Sequence, residues 1–225
     1  MKQLTRITLT VAGVATLLAT RDGTSATDTP DRTATASSMR LGAVQLQSAG
    51  VMHFSGDGTL FLADPRAAVV YAIDVADTHR DTTRSGVRIE DVDGKIAAAL
   101  GTTRDQIRIV DMVAHPRSQS LYFSLTRGKG NDAVPVLVSV TKVEEKVTIL
   151  PLESIRHARA EIPATPAEDQ KTSWGAPRRS FIVTDLALVD GELYVAGLGN
   201  EEFASTLRRL PYPFGRAASA TTVEM

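Results

Sequence analysis

Cysteine is absent from the 225-residue chain. Its absence excludes disulfide bonds, thiolate metal sites, covalently attached haem and cysteine nucleophiles. An excess of basic residues is also missing, because 25 Lys and Arg stand against 26 Asp and Glu. The sequence therefore gives no indication of a nucleic-acid partner or of attraction to an anionic membrane. With 43% hydrophobic and 23% charged residues, the composition is that of a soluble globular protein.

Long apolar runs are lacking everywhere except near the N-terminus. There, Lys2 and Arg6 precede a mostly apolar stretch at residues 7–19, which has the length and charge pattern of a signal peptide. The stretch is short for a membrane span. We therefore expect a signal peptide at residues 1–26, a flexible leader at 27–41, and a periplasmic or secreted mature protein without a membrane span. The alternative is a disordered or short helical extension of a cytosolic protein.

The remainder of the chain repeats one local layout three times. Residues 51–63, 111–124 and 185–196 each form a predicted strand, tight turn and strand, with Gly, Asp or Ser in the turn. A Leu followed by an aromatic residue begins each second strand, namely Leu60-Phe61, Leu121-Tyr122 and Leu193-Tyr194. Third strands are predicted at 69–75, 134–140 and 206–210, and fourth strands at 86–90, 146–150 and 221–224.

Four antiparallel strands per repeat are typical of a β-propeller blade. We therefore predict an all-β, propeller-like array of about three four-stranded antiparallel blades at residues 45–90, 107–150 and 181–225. Short helical insertions are expected at 93–101 and within 153–161, and a capping box at 103–106. A β-sandwich without a true repeat is the alternative fold.

Three blades do not close a ring, since known propellers have about four to eight. We expect the remaining blades to come from a longer chain or from self-association.

The first repeat resembles exported bacterial β-propeller repeats of the surface-layer or NHL type. Their turn is close to Ser-Pro-Asp-Gly and is followed by Leu-Tyr-Val-Ala-Asp; here residues 55–64 read Ser-Gly-Asp-Gly-Thr-Leu-Phe-Leu-Ala-Asp. Gly56 stands in place of the usual proline, and the repeats are longer. The resemblance extends more loosely over residues 45–215. It implies a binding or scaffold module, while lactonases and quinoprotein dehydrogenases are structurally similar enzymes.

Polar residues follow or begin predicted strands at positions that meet at one mouth of a propeller channel. Asp111 and Asp185 begin first strands, and the other candidates lie in loops between second and third strands. The full set of predicted ligand-binding residues is Asp64, Asp111, Asn131, Asp132, Asp185, Asn200 and Glu201. Carboxylate and amide oxygens suit Ca²⁺ or a polar ligand. The same residue types also cap strands and form turns, and turn chemistry alone selects them, which favours a structural role over ligand binding.

Sequence motifs for catalysis are lacking. There is no Gly-x-Ser-x-Gly motif, and the four histidines have no metal-ligand spacing. Arg127, Arg208 and Arg209 are interpreted as solvated charges at strand edges.

We therefore expect an exported, non-catalytic propeller module that binds a small ligand or a protein partner, with no cofactor assigned. One alternative is a propeller enzyme, Ca-assisted and lactonase-like or quinoprotein-like, with its site at the channel mouth. Another is a structural repeat segment of an envelope protein.

Overall fold

The computed structural model describes residues 39–82, 86, 88–199, 205–215 and 219–223. Over these residues the chain is mostly β, with three antiparallel sheets and one α-helix. The strands are β1 (Arg40–Gly42), β2 (Met52–Phe54), β3 (Thr59–Asp64), β4 (Val69–Asp74), β5 (Ile107–Ala114), β6 (Leu121–Arg127), β7 (Val134–Val140), β8 (Val147–Ile149), β9 (Ile155–Glu161), β10 (Asp185–Val189), β11 (Glu192–Leu198), β12 (Ser205–Pro211) and β13 (Ser219–Val223). Helix α1 is Val92–Ala99, and short 3-10 helices lie at Arg104–Gln106, Gly130–Asp132 and Arg178–Phe181.

The sheets contain the predicted hairpins. The first sheet has the order β1-β9-β4-β3-β2, the second has β5-β6-β7-β8, and the third has β10-β11-β12-β13. Alternating apolar residues and the intervening turns place β2-β3-β4, β5-β6-β7 and β10-β11-β12 as predicted. The predicted fourth strands of the second and third sheets are also present, as β8 and β13.

The fourth strand of the first sheet is not where the sequence pattern placed it. The described residues within 86–90 form no strand, and Arg88 and Glu90 form an exposed ion pair instead. Strand β9 takes that position against β4, with Ala72 opposite Ala158, although residues 153–161 were predicted to be helical. The fourth strand predicted at residues 86–90 is therefore wrong, whereas β2, β3 and β4 lie where the first repeat was predicted. The second sheet is inserted in the chain between strands of the first.

The order of the sheets in space also differs from their order in the chain. One core cluster joins the first and second sheets, including Leu60 and Tyr122. Another joins the first and third sheets, including Phe61 and Leu193. The first sheet therefore lies between the other two, which explains why β3 is buried along its whole length.

Helix α1 covers the other face of the second sheet. Its Ile96 is fully buried, and Ile96 and Leu100 share a cluster with Leu121. The helix ends before Gly101, which has a φ of 64°, close to the predicted stop. The predicted capping box at 103–106 is wrong, because the Thr103 hydroxyl donates to the Asp105 carboxylate at 2.6 Å and accepts no N–H from the 3-10 helix that follows. No helix of the described residues is long and apolar enough to cross a membrane.

Arg208 on β12 is buried, with 0% of its surface exposed, so its interpretation as a solvated strand-edge charge is wrong. Its guanidinium donates hydrogen bonds of 2.8–3.2 Å to four main-chain carbonyls. These acceptors belong to Pro163, Ala164, Ile182 and Leu198. Arg208 therefore ties the loop before the third sheet to the sheet itself.

Candidate functional site at the outer edge of strand β2

Strand β2 lies beside the first strands of both other sheets, β5 and β10. Its other edge pairs with β3, where the carbonyl of Val51 accepts the Ala63 N–H at 3.0 Å. The edge of β2 that faces away from β3 is therefore the place where the three sheets approach one another. Two of the predicted site residues lie beside it.

Asp111 links the second sheet to this edge. One carboxylate oxygen accepts the Met52 N–H at 2.7 Å, and the other accepts the Met112 N–H at 2.7 Å. Next to it, Ser124 Oγ donates to the Gly50 carbonyl at 2.7 Å. Both carboxylate oxygens of Asp111 are therefore engaged by main-chain donors.

The predicted position of Asp111 within its strand is incorrect. Asp111 does not begin β5, which starts at Ile107. It follows a break in the register between Ile109 and Asp111, and such bulges change the direction of a side chain.

Asp185 lies on the other side of β2 and begins β10 as predicted. Its Oδ1 accepts the Leu186 N–H at 2.8 Å, and the residue is exposed. Burial lowers the pKa of the half-buried His53, and the negative charge of Asp185 partly offsets that effect. Asp111 and Asp185 thus flank β2. Asp111 accepts the Met52 N–H, and Asp185 is close enough to His53 to raise the pKa of its imidazole.

Asp64 is fully buried and has a structural role. Its carboxylate accepts the N–H groups of Gln47 and Ser48 at 2.7 and 2.9 Å, and the Ser48 hydroxyl at 2.6 Å. The Ala67 N–H adds a longer bond of 3.2 Å. The aspartate therefore fixes the turn after β3 to the segment before β2, and both oxygens are occupied.

The predicted loop residues add little to this site. Asp132 is exposed in the 3-10 turn Gly130–Asp132, and the side chain of Asn131 is outside the described part of the chain. Asn200 and Glu201 also fall outside the described residues. Across the ranges that the structure describes, no group of three His, Cys, Asp or Glu residues is arranged to hold a metal ion.

No protein-family model, curated protein or solved structure matches the chain. The interpretation of the site therefore rests on its geometry. Among the described residues, the edge of β2 offers one imidazole and one incompletely bonded carboxylate, that of Asp185. Ca²⁺ takes about six to eight oxygen ligands, so these groups alone do not form a calcium site.

A second polar cluster, which the sequence patterns did not indicate, lies beyond the end of β5. His115 is buried, and its Nδ1 accepts the Ser118 N–H at 3.1 Å. Ser118 Oγ donates to Asp77 Oδ2 at 2.6 Å, and the Tyr122 hydroxyl donates to the same oxygen at 3.3 Å. Burial raises the pKa of Tyr122, and the nearby Asp77 charge raises it further.

This cluster does not have the geometry of a hydrolytic triad. The Ser118 hydroxyl lies 3.1 Å from His115 Nδ1, but that nitrogen accepts the main-chain N–H groups of Arg117 and Ser118. The hydroxyl donates to Asp77 at 2.6 Å, whereas the nucleophile of a triad donates to the imidazole. His115 is thus a turn residue, as its position before Pro116 suggested. Asp77 lies 41 residues before Ser118 in the chain, so no local motif could have revealed the pair.

Proposed function

We propose that the chain is part of a β-propeller with an incomplete ring and acts as a non-catalytic module that binds a protein partner. The observation that carries the proposal is the position of β2 between β5 and β10. First strands gathered in this way are expected around the central channel of a propeller. The face-to-face stacking of the three sheets on shared apolar clusters supports the same interpretation.

The bonding of the carboxylates supports a binding module over an enzyme. Asp64 and Asp111 use both oxygens to accept protein donors, so their charge serves the fold. A lactonase-like or quinoprotein-like enzyme would need free oxygen ligands at the mouth to hold Ca²⁺. The enzyme alternative therefore requires more oxygen ligands for Ca²⁺ than the described residues at the edge of β2 provide.

The test combines metal analysis with substitution of the two aspartates. We expect purified protein to contain no stoichiometric metal or quinone and to give no saturable heat with CaCl₂ in calorimetry. We expect Asp111→Ala to lower the free energy of unfolding by about 0.5–2 kcal/mol, the range for a lost capping acceptor, with Asp111→Asn less affected. One bound Ca²⁺ per chain that is lost in both Asp111→Asn and Asp185→Asn would instead support the enzyme.

Export is a separate part of the proposal and concerns residues 1–26, which lie outside the described residues. Mass spectrometry of protein from the periplasm of a bacterial host should find a mature chain that lacks this segment. An intact Met1 in the periplasmic fraction would contradict export.

A further inference from the structure

The outer face of the third sheet is the one sheet face in the described part of the chain that no other element covers. Along β11, Leu193 and Val195 are buried against the first sheet, and the alternate residues Tyr194 and Ala196 point away from it. Apolar side chains on that outward face are open to solvent, including Val189 at 51% and Leu207 at 40% exposure. They share the face with an ion pair between Arg209, which lies opposite Tyr194, and Glu192, which lies opposite Val189.

The corresponding faces of the other two sheets are covered, and each places one aromatic residue in the interface. Phe61 follows Leu60, and its ring lies 4.8 Å from that of Tyr212, which belongs to the segment after β12. Tyr122 follows Leu121, and its ring lies 5.0 Å from that of Phe54 on the first sheet. Phe61 therefore meets an aromatic ring from the segment that follows β12, and Tyr122 meets one from the sheet stacked on its face.

Tyr194 occupies the same position in the third sheet, directly after Leu193. It is partly exposed, and no described aromatic ring lies against it. Leu60, Leu121 and Leu193 all point in the opposite direction, toward the second sheet, α1 and the first sheet respectively. In all three sheets, the face that carries the Leu therefore points toward the α1 end of the stack. The face that carries the aromatic residue points toward the opposite end.

Asp185 matches Asp111 in register and in bonding. Asp111 pairs with Ser124 and Asp185 with Ala196, in each case three residues after the Leu. Each aspartate accepts the N–H of its following residue, at 2.7 and 2.8 Å. The second oxygen of Asp111 accepts an N–H from the covering sheet, whereas no described residue donates to the second oxygen of Asp185.

We propose that the outer face of the third sheet binds a four-stranded antiparallel sheet of a partner protein. That sheet presents an aliphatic face, an aromatic ring against Tyr194 and a main-chain N–H to Asp185. This inference rests on the proposed function, because it extends the same stacking by one sheet.

A second copy of this chain does not fit the proposed surface. The matching partner face is the one that carries the Leu residues. The faces of Leu60 and Leu193 are buried between sheets, and that of Leu121 lies beneath Ile96 and Leu100 of α1. Among the described residues, a second copy therefore has no uncovered face of this kind.

The test uses a probe that has such a face uncovered. The probe is this chain with Ile96→Asp and Leu100→Asp, which remove the apolar cover of the second sheet, and with Tyr194→Arg, which blocks its own outer face. We expect a one-to-one complex of the probe and the unmodified chain in sedimentation velocity, while each alone stays monomeric.

Placing Tyr194→Arg in the unmodified chain tests whether the complex forms through the outer face of its third sheet. Tyr194→Arg in the unmodified chain should weaken the complex by about tenfold or more, as expected for an aromatic anchor. The matched control is Val143→Arg, at a residue that is 84% exposed in the turn after β7, and it should leave the complex unchanged. Absence of a complex with a probe whose circular dichroism matches the parent would overturn the proposal, as would a Tyr194-dependent dimer of the unmodified chain.

A measurement that needs no helix variant covers the case in which the probe does not fold. The unmodified chain should bind the dye ANS, and Tyr194→Ser combined with Leu207→Ser should remove about half of the fluorescence, because the two side chains form part of the apolar patch. Val143→Ser should have no effect. Unchanged fluorescence in the double variant would overturn the proposal. The metal and quinone analysis tests the proposed function alone. Failure of the proposed function can therefore be distinguished from failure of the proposed docking surface.

Discussion

Arg208 illustrates how single residues in this protein satisfy buried main-chain groups. It has no carboxylate partner among the described residues and instead donates to four carbonyls. Burial lowers the pKa of its guanidinium, because the charged form loses hydration. The planar fork of an arginine reaches several acceptors at once, which lysine does not match.

Replacing Arg208 should therefore destabilise the fold strongly. Arg208→Met leaves four carbonyls without their donor, and each buried unsatisfied group costs about 1–3 kcal/mol. We expect a loss of at least about 3 kcal/mol in the free energy of unfolding, measured by urea denaturation. Arg209→Met is the matched control, since the Arg209 side chain is 55% exposed and should change stability by less than about 1 kcal/mol. Equal effects of the two substitutions would contradict this role.

His53 is the residue at the β2 edge whose protonation depends on its neighbours. Burial keeps its folded pKa below the ordinary value of 6.5, and Asp185 acts in the opposite direction. The unfolded chain therefore binds the proton more readily than the folded chain. The contribution of His53 to the free energy of unfolding is complete above pH 6.5, and it is lost as the pH falls from 6.5 toward the folded pKa.

The Asp185 contribution can be measured by NMR titration of the imidazole. We expect Asp185→Asn to lower the pKa of His53 further, because the substitution removes the charge that favours the imidazolium. Asp190→Asn, at an exposed turn of the same sheet, should leave the titration unchanged. A rise in the pKa of His53 in Asp185→Asn would show that the aspartate does not act through its charge.

At the scale of elements, β9 is defined by its neighbours more than by its own sequence. Its residues alternate, so that Ala158 and Ala160 face the third sheet. Arg156, His157 and Arg159 dilute the apolar pattern. Pairing with β4 on one side and β1 on the other fixes it as a strand. The Leu residues that begin the second strands are, by contrast, recognisable from the sequence, and all three are buried.

Truncation of these leucines should have comparable effects in all three sheets. Leu60→Ala, Leu121→Ala and Leu193→Ala should each lower the free energy of unfolding by about 2–5 kcal/mol, the range for buried leucines. Leu41→Ala on β1 is the control, because Leu41 is 68% exposed. Melting curves of the three variants that coincide with that of the parent would show that the aligned positions are not equivalent core sites.

At the scale of the whole molecule, the described residues form a stack of sheets with one covered end and one end that no described element covers. Helix α1 covers the second sheet, the first sheet is enclosed on both faces, and the outer face of the third sheet carries exposed apolar residues. Stacked sheets derive stability from their neighbours, so the central sheet should open only when the whole molecule unfolds.

Hydrogen exchange should follow this arrangement. We expect the amides of β3 and β4 to exchange most slowly, with an opening free energy equal to that of global unfolding. The edge strand β8 should exchange by local opening, since it is short and its Ile149 is 47% exposed. Equal protection of β8 and β4 in exchange measured by NMR would contradict the central role of the first sheet.

The sequence by itself determined the hairpins, the position of α1 and the buried Leu positions. Alternation of apolar residues and the choice of turn residues act over a few neighbours, so they can be recognised without knowledge of the rest of the chain. The same local information placed Asp185 at the start of β10 and marked Asp111 as a candidate, although it did not reveal the bulge that precedes Asp111.

Only the tertiary structure decided which strand completes the first sheet, how the sheets are stacked and what the aspartates bind. The Asp111 bond to Met52 spans 59 residues, and the Ser124 bond to Gly50 spans 74. Such contacts depend on which faces are left to be buried once the hairpins have formed, and that competition involves the whole chain. For this reason β9 displaced the predicted strand at 86–90, and the site at the edge of β2 became visible only in three dimensions.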